Sequence, residues 1–408
     1  ERERATMAAS SAAGLLTACK ENRNTPVQLL GILNASEQLI RSLWKDFPLL
    51  IQELHLTQHS LPCVFFLEAM VGHQLSQEQQ SFFLDTTRRF MLCADSVQIQ
   101  LAPDRFVGVC RKYKDIHVSL GTPRHVIVPL QSAVARLQPS ANTLTPLHAD
   151  LLQVCLVSKF YGIALSVVQQ GLALEDPKRT GLTAKDFLLY CYYGGMVFLG
   201  EQMFADALDF FLNALTVPAV VLSSIMIESY KKYVLVCLLL HGKLDSIPKY
   251  TSQVVQRTIA NQCMVYMEFA KAFSSHDMGK LNEVIAKYES VYDKDHNLGL
   301  VRQCCDSLRK FIVQRVTRTY LTISLEQLAD VLKLDKKKTE KLLVRMIVSS
   351  SLSGKIDNSK GILILLHDEE DLLLPQGAIE RAISVAEEVQ KVDETLSHNR
   401  SYIQEMLR

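Results

Sequence analysis

One feature constrains this chain more than any other: a turn that recurs roughly every 40 residues inside a hydrophobic pattern of helical period. The breaks fall at Tyr161-Gly162, Gly200–Phe204, Gly242–Leu244 and Gly279–Leu281, stepping 43, 40 and 37 residues when counted at Tyr161, Phe204, Leu244 and Leu281. Between them apolar residues recur three and four apart. Asp186–Leu199 and Met203–Leu215 read as two helices across Gly200-Glu201-Gln202. Ile225–Leu240 and Ser246–Thr258 repeat the arrangement across His241-Gly242-Lys243. Helices joined by so short a turn lie antiparallel, and each pair must bury its remaining apolar face on the next. The spacing therefore predicts an all-α-dominated chain built on an α-solenoid.

One unit fits the tetratricopeptide pattern closely. With Gly195 as the close-packing glycine, Phe198, Ala207, Phe211 and Ala214 supply small residues where helices touch and aromatics where they interlock. The neighbouring units match loosely, with Ala164 in the role of Ala207, so the array is degenerate; an irregular helical bundle is the alternative.

Past residue 300 the pattern changes. Ser307–Thr319 reads as an amphipathic helix. Ser324 and Gln327 form a capping box that opens Leu325–Leu332, and Asp335 is placed to cap Lys337–Val348. Lys355-Ile-Asp357, a polar turn at 358–361 and Ile362–Leu366 read as a β-hairpin. Three helices followed by a two-stranded hairpin make a winged helix.

Catalytic chemistry finds little support in the residues. No two of the 11 histidines are separated by a single residue, and no His-Glu-x-x-His occurs. His55 and His59 are spaced to bridge a metal on a helix face, but they lack a base nearby and read as surface polar positions. Gly242-Lys243 and Gly354-Lys355 lack the earlier glycine of a phosphate loop, Cys237 and Ser349 standing in its place. The ten cysteines contain no Cys-x-x-Cys pair, and adjacent Cys304 and Cys305 read as buried packing. Reduced thiols point to a cytoplasmic or nuclear protein. The longest apolar run, Tyr233–Leu240, is eight residues, short of a membrane span. Residues before Met7 are expected to be upstream sequence. Neither a cofactor nor a metal is expected.

Charge supplies one competing reading. The 44 basic and 43 acidic residues nearly cancel. Yet residues 300–366 carry 13 basic against 6 acidic, with Lys333, Lys336, Lys337, Lys338, Lys341 and Arg345 around the third helix. In winged helices that read DNA this helix enters the major groove. Its Leu342, Leu343, Met346 and Ile347 look like core, however, and residues 367–408 carry 10 acidic against 4 basic. A complementary protein surface is the simpler partner, and nucleic acid the lesser alternative.

A helical array running into a winged helix resembles the PCI module of the proteasome lid, the COP-nine signalosome and initiation factor three. Within that group, His148-Ala-Asp-Leu151, Tyr192-Tyr-Gly-Gly-Met196, Glu228-Ser-Tyr-Lys-Lys-Tyr233, Pro248-Lys-Tyr-Thr-Ser-Gln253 and Tyr320-Leu-Thr-Ile-Ser-Leu325 resemble the subunit-three family of the signalosome. The resemblance implies a non-catalytic scaffold of the complex that removes a ubiquitin-like modifier from cullins (deneddylation). It further implies a winged-helix edge that pairs with neighbouring PCI subunits, subunits one and eight foremost, through Lys355, Ile356, Asp357, Ile362, Leu363, Ile364 and Leu365. Cullin-type ubiquitin ligases would be met only indirectly. Lid and initiation-factor scaffolds remain alternatives.

The C-terminus carries an interaction signal of its own. Ala378, Ala382, Val385, Val389, Val392, Leu396, Asn399, Ile403 and Met406 step alternately four and three residues apart. Such a stripe belongs to a coiled coil or bundle, and a helix about 45 Å long outreaches one small winged helix. Asn399 on the seam disfavours wrong registers. Val385, Val389, Val392, Leu396, Asn399, Ile403 and Met406 are the expected contacts, since signalosome subunits resemble one another in ending with helices that gather into a shared bundle. Folding back on its own solenoid is the alternative. The expected organisation is N-terminal repeats at 7–140, tetratricopeptide-like repeats at 141–300, a winged helix at 301–366 and a bundle helix at 376–408.

Overall fold

In a computed structural model of the chain, residues 12–21, 25–42, 50–51, 53–73, 76–173, 177–349, 351–357, 360–365 and 382–392 are described. They divide into two compact units, one holding 1–274 with 288–301 and the other 275–287 with 302–408.

The first unit begins with α1 (Ala12–Glu21), α2 (Pro26–Ala35), α3 (Glu37–Ser42), α4 (Ser60–Val71), α5 (Gln77–Cys93), α6 (Pro103–Ser119) and α7 (Ile127–Leu137). It continues through α8 (Pro146–Ser158), α9 (Tyr161–Val168), α10 (Ala184–Gly200), α11 (Phe204–Thr216), α12 (Ser224–His241), α13 (Gln253–Gln262) and α14 (Met264–Ser274). Successive helices pack on one another along this series: α4 on α6, α7 on α8, α8 on α10, α10 on α11 and α11 on α12. The helical expectation thus holds, and the eight-residue apolar run lies in the C-terminal half of α12, buried from Tyr233 to Leu238.

A close helix–helix contact lies where the sequence placed it. A Cβ on Gly195 would come within 2.7 Å of the Phe211 ring, so α10 and α11 meet at a distance that only glycine allows. Phe198, Ala207, Phe211 and Ala214 are all buried there, and Ala164 is buried on α9.

The turns themselves share one construction. Lys159, Gln202 and His296 adopt left-handed φ of 59°, 63° and 55°. In each case the next residue's N–H returns to the final helical turn: Phe160 to Cys155 O, Met203 to Phe198 O, and Asn297 to Tyr292 O, at 2.8–2.9 Å. This closure satisfies carbonyls that the helix end would otherwise leave open. Gly242, also left-handed at φ 70°, ends α12 with the N–H to Leu238 O bond.

One expected pairing is corrected. Residues 246–252 are not helical, and the helix expected from Ser246 begins only at Gln253. Pro248 disfavours helical backbone at the residue before it, and Ser252 Oγ caps the new start by accepting from Val255 N–H. The principal downstream partner of α12 is consequently α14, a helix the repeat count had not separated.

Two long helices follow, α15 (Met278–Lys294) and α16 (Leu298–Thr317), with Tyr288 non-helical inside the former (φ −118°, ψ 18°). The second unit then holds β1 (Thr322–Ser324), α17 (Leu325–Leu332), α18 (Lys336–Val348), β2 (Gly354–Asp357) and β3 (Ile362–Leu365). The winged helix is present, with three differences from expectation. The sheet has three strands in the order β1-β3-β2, all antiparallel, because Thr322–Ser324 joins the hairpin. Ser324 Oγ accepts from Glu326 N–H at 3.3 Å, so it caps α17 at the second residue rather than reciprocally with Gln327. Asp335 precedes α18 but caps it without a side-chain hydrogen bond.

Candidate partner-binding surfaces

The winged-helix sheet offers backbone at its edges, and the register fixes which groups those are. Leu365 N–H donates to Leu321 O and Leu325 N–H to Gly361 O, both at 2.9 Å. Peptide groups alternate sides along a strand, so those of Leu363 and Leu365 face β1 and those of Ile362 and Ile364 face β2. Opposite them, Lys355 pairs with Ile364 and Asp357 with Ile362, which turns the peptide groups of Gly354 and Ile356 away from the sheet. β3 is therefore the central strand. The side chains of Leu363 and Leu365 are buried, in a unit whose core also holds Leu325, Leu328, Leu332, Leu343 and Met346. Among the seven wing candidates, the three on β2 lie on an edge strand; the four on β3 lie inside the sheet, with Ile362 and Ile364 half-buried.

The basic helix divides as its pattern implies. Lys336, Lys337, Lys338, Lys341 and Arg345 are exposed, whereas Leu343 and Met346 are buried and Leu342 and Ile347 half-buried. Part of this charge is answered locally: Lys336 Nζ donates to Glu326 Oε1 at 2.9 Å, and Lys333 lies 3.9 Å from Asp277.

Of the C-terminal stripe, only 382–392 is described, and it is helical. Val385, Val389 and Val392 are 59%, 62% and 56% exposed, values that leave most of each side chain in water. Leu396, Asn399, Ile403 and Met406 lie outside the described residues.

Groups that could titrate or react are mostly locked into the first unit. His148 is buried at the start of α8, where its Nδ1 accepts from Thr145 N–H at 3.0 Å. Burial pulls its pKa down to about 4, so it is a neutral capping group. Burial likewise pushes the Cys19 and Cys191 thiols up to about 12 and Cys155, Cys237 and Cys263 to about 11. All ten cysteines are free, and Cys304 and Cys305 are both buried. His59 is buried rather than on the surface, and 55–59 is not helical, so the pair does not present a metal-binding helix face. No cluster of three or more His, Cys, Asp or Glu suited to a metal occurs among the described residues.

Comparison with known proteins matches both parts. The family described as COP9 signalosome complex subunit 3, N-terminal helical repeats, matches residues 23–255, and the PCI domain matches 285–367. COP9 signalosome complex subunit 3 of Arabidopsis thaliana is 32% identical over 361 residues, spanning 86% of this chain and 83% of that protein. Its Dictyostelium discoideum counterpart is 29% identical over 392 residues, spanning 93% and 92%. The chain belongs to the COP9 signalosome complex subunit 3 family.

Within this subunit 3 fold, three of the strings that carried the resemblance, at 148–151, 228–233 and 248–253, take part in internal clamps. Asp150 accepts from Arg111 Nε at 2.9 Å and Lys114 Nζ at 2.6 Å, while Arg111 also reaches Asp186, tying α6, α8 and α10 together. Asp186 simultaneously accepts from Thr183 Oγ1 at 2.7 Å at the start of α10. Lys232, nearly fully buried, donates to Asn297 Oδ1 at 2.6 Å, and Asn297 Nδ2 donates to Tyr266 Oη at 2.8 Å. Tyr266 Oη and Lys231 Nζ both donate to Asp295. Pro248–Thr251 wraps around Gln256, whose Nε2 donates to Lys249 O and Thr251 O. Buried polar groups are costly unless paired, so these residue types are demanded together or not at all. Sequence reasoning quoted the strings without assigning them this role, because each partner lies 29 to 75 residues away along the chain for the contacts that join helices.

Proposed function

We infer that the chain is a non-catalytic scaffold subunit of the signalosome, the complex that removes the ubiquitin-like modifier from cullins. The observation that carries this reading is the match of both the repeats and the PCI domain, in order, to subunit 3 relatives over most of the chain. Its partners are other signalosome subunits. In the finer reading, the 141–300 repeats set spacing, the β2 edge receives a strand from a neighbouring PCI subunit (one or eight), and the 376–408 helix enters a shared bundle. Outward peptide groups on Gly354 and Ile356 suit strand addition, in which main-chain hydrogen bonds supply affinity. Exposed Val385, Val389 and Val392 on one stripe suit helix packing. Cullin-type ligases are met through the assembled complex, in cytoplasm and nucleus. No described helix is long and apolar enough to cross a membrane.

Affinity recovery of the chain from cells, followed by native mass spectrometry, tests the reading. A scaffold returns with the signalosome subunits at equal stoichiometry and, as purified single chain, cleaves no modifier from a cullin. Recovery with lid or initiation-factor subunits, or zinc-dependent turnover by the single chain, contradicts it.

A further inference from the structure

A cleft of about 600 Å³ opens between the 121–125 segment after α6 and the end of α8, lined by Thr122, Arg124, His125, Val157, Ser158 and Lys159. It gathers cations without gathering carboxylates. Among the described residues neither Arg124 nor Lys159 forms an ion pair. Arg124 is nonetheless held in place, its guanidinium carbon 5.4 Å above the centre of the Phe160 ring. Lys159 is fixed by backbone rather than by side chain: it is the left-handed residue that ends α8. Thr122 Oγ1 is hydrogen-bonded to His117 Nδ1 at 3.0 Å, and the His125 ring stands 6.3 Å from that of His117.

The second observation is a hydroxyl with nothing to bind. Ser158 is 7% exposed, and its Oγ has no hydrogen-bond partner among the described residues. A buried hydroxyl left unpaired costs stability, and a lining residue of a cation-rich cleft is where an anionic ligand would repair that cost. A carboxylate offers two oxygens. A phosphomonoester offers three and close to two negative charges, which suits a cleft lined by a guanidinium, an ammonium and a residue with an unpaired hydroxyl, drawn from two segments.

On these grounds we propose that the Arg124–Ser158–Lys159 cleft is a phosphomonoester-binding site. The site lies in the first unit, and it does not depend on the scaffold reading. The source of the phosphate is either a phosphorylated side chain of a protein or a free sugar phosphate. Exposed Val157 and Phe160 beside the cations give a peptide additional apolar contact that a sugar phosphate cannot use.

The test is isothermal titration of the full-length chain at constant ionic strength with three probes: inorganic phosphate, glucose 6-phosphate, and a phosphoserine peptide with apolar flanks. The unphosphorylated peptide serves as control. Saturable binding is expected for the phosphorylated probes, tightest for the peptide, with none for the control. Arg124→Gln and Lys159→Gln should each weaken it about tenfold or more, the worth of a charge-assisted hydrogen bond. Ser158→Ala should weaken it by a smaller factor while the ligand-free chain melts no lower than wild type, since the substitution removes an unpaired buried hydroxyl. Lys271→Gln, an exposed charge elsewhere in the unit, should leave it unchanged. Equal affinity for glucose 6-phosphate and peptide, still lost in Arg124→Gln, upholds the site and assigns it to a free metabolite. Absence of saturable binding overturns the proposal, as does binding that Arg124→Gln and Lys271→Gln weaken alike.

Discussion

Three glycine-to-alanine substitutions, chemically identical, should change stability in different directions. Gly108 lies inside α6, and a Cβ there meets nothing within 4 Å. Gly108→Ala therefore gains the helical preference of alanine, about 0.5–1 kcal/mol, with no opposing contact. At Gly194 the added carbon would come within 2.7 Å of the Phe210 ring. That ring is half-buried and borders an open cleft with Val168 and Asn213, so it can turn aside. The gain and the clash should nearly cancel. At Gly195 the carbon would come 2.7 and 2.8 Å from Phe211 Cε1 and Cζ, and Phe211 is completely buried. Overpacking a closed site costs about 1–3 kcal/mol, which outweighs the propensity gain. Gly195→Ala should lose about 1–2 kcal/mol net, a drop of a few degrees in melting temperature at this size. Thermal and urea denaturation followed by circular dichroism reads the series directly, with the order Gly108→Ala above wild type, Gly194→Ala near it and Gly195→Ala below. If Gly195→Ala stabilises as much as Gly108→Ala, α10 and α11 do not meet at the distance described, and the tetratricopeptide-like packing of this unit is wrong.

Protonation of His148 links stability to acidity. Its folded pKa of about 4 lies below the ordinary 6.5, so its contribution is fully present above about pH 6.5 and is lost as pH falls towards 4. Urea midpoints should decline across that window by at most about 3 kcal/mol, and His148→Gln should flatten the decline; an unchanged slope in the variant places the titration elsewhere. Thiol labelling of the native chain should be fastest at Cys93, half-buried where the other nine are buried, and Cys93→Ser should remove the fast phase. Several equally fast cysteines would contradict the burial described. On the wing, Ile356→Pro removes an outward N–H and should spare folding while weakening assembly, whereas Ile362→Pro breaks a bond to β2 and should cost about 1–3 kcal/mol of the wing's stability. Equal melting temperatures for the two proline variants would mean the ladder runs the other way.

The sequence made the repetitive part of this fold readable because its devices are local. Gly195 and Phe211 are sixteen residues apart on adjacent helices, and the hairpin announces itself by Gly361 and an apolar strand. What stayed hidden has physical causes. Thr322–Ser324 is three residues long, too short for alternation to register as a strand, yet it makes β3 central and leaves β1 and β2 as the edges. His296 closes a helix in a conformation that usually calls for glycine, and with no glycine nearer than Gly299 its turn carries little compositional mark, whereas Gly162 and Gly200 flag the turns at Lys159 and Gln202. The clamps around Asp150, Asp186 and Asn297 join residues far apart in sequence; Asp335, well placed as a cap by type, makes no capping bond with its side chain. In the terminal helix the stripe was visible at once, since exposed valines at Val385, Val389 and Val392 keep the same spacing in space as in sequence.

The scaffold account is tested most directly by assembly of a variant whose own fold is untouched. Val385→Asp with Val389→Asp places two charges on a surface already in water, so the isolated chain should melt within a degree or so of wild type, as surface changes of under about 0.5 kcal/mol do. Inside a helix bundle the same charges would be buried without partners, at a cost of several kcal/mol. Native mass spectrometry of complexes recovered through the tagged chain should show full signalosome occupancy for wild type and little or none for the double variant. Undiminished occupancy, or a variant that loses stability in isolation in proportion to its loss of assembly, would place this stripe against the chain itself and contradict the shared bundle.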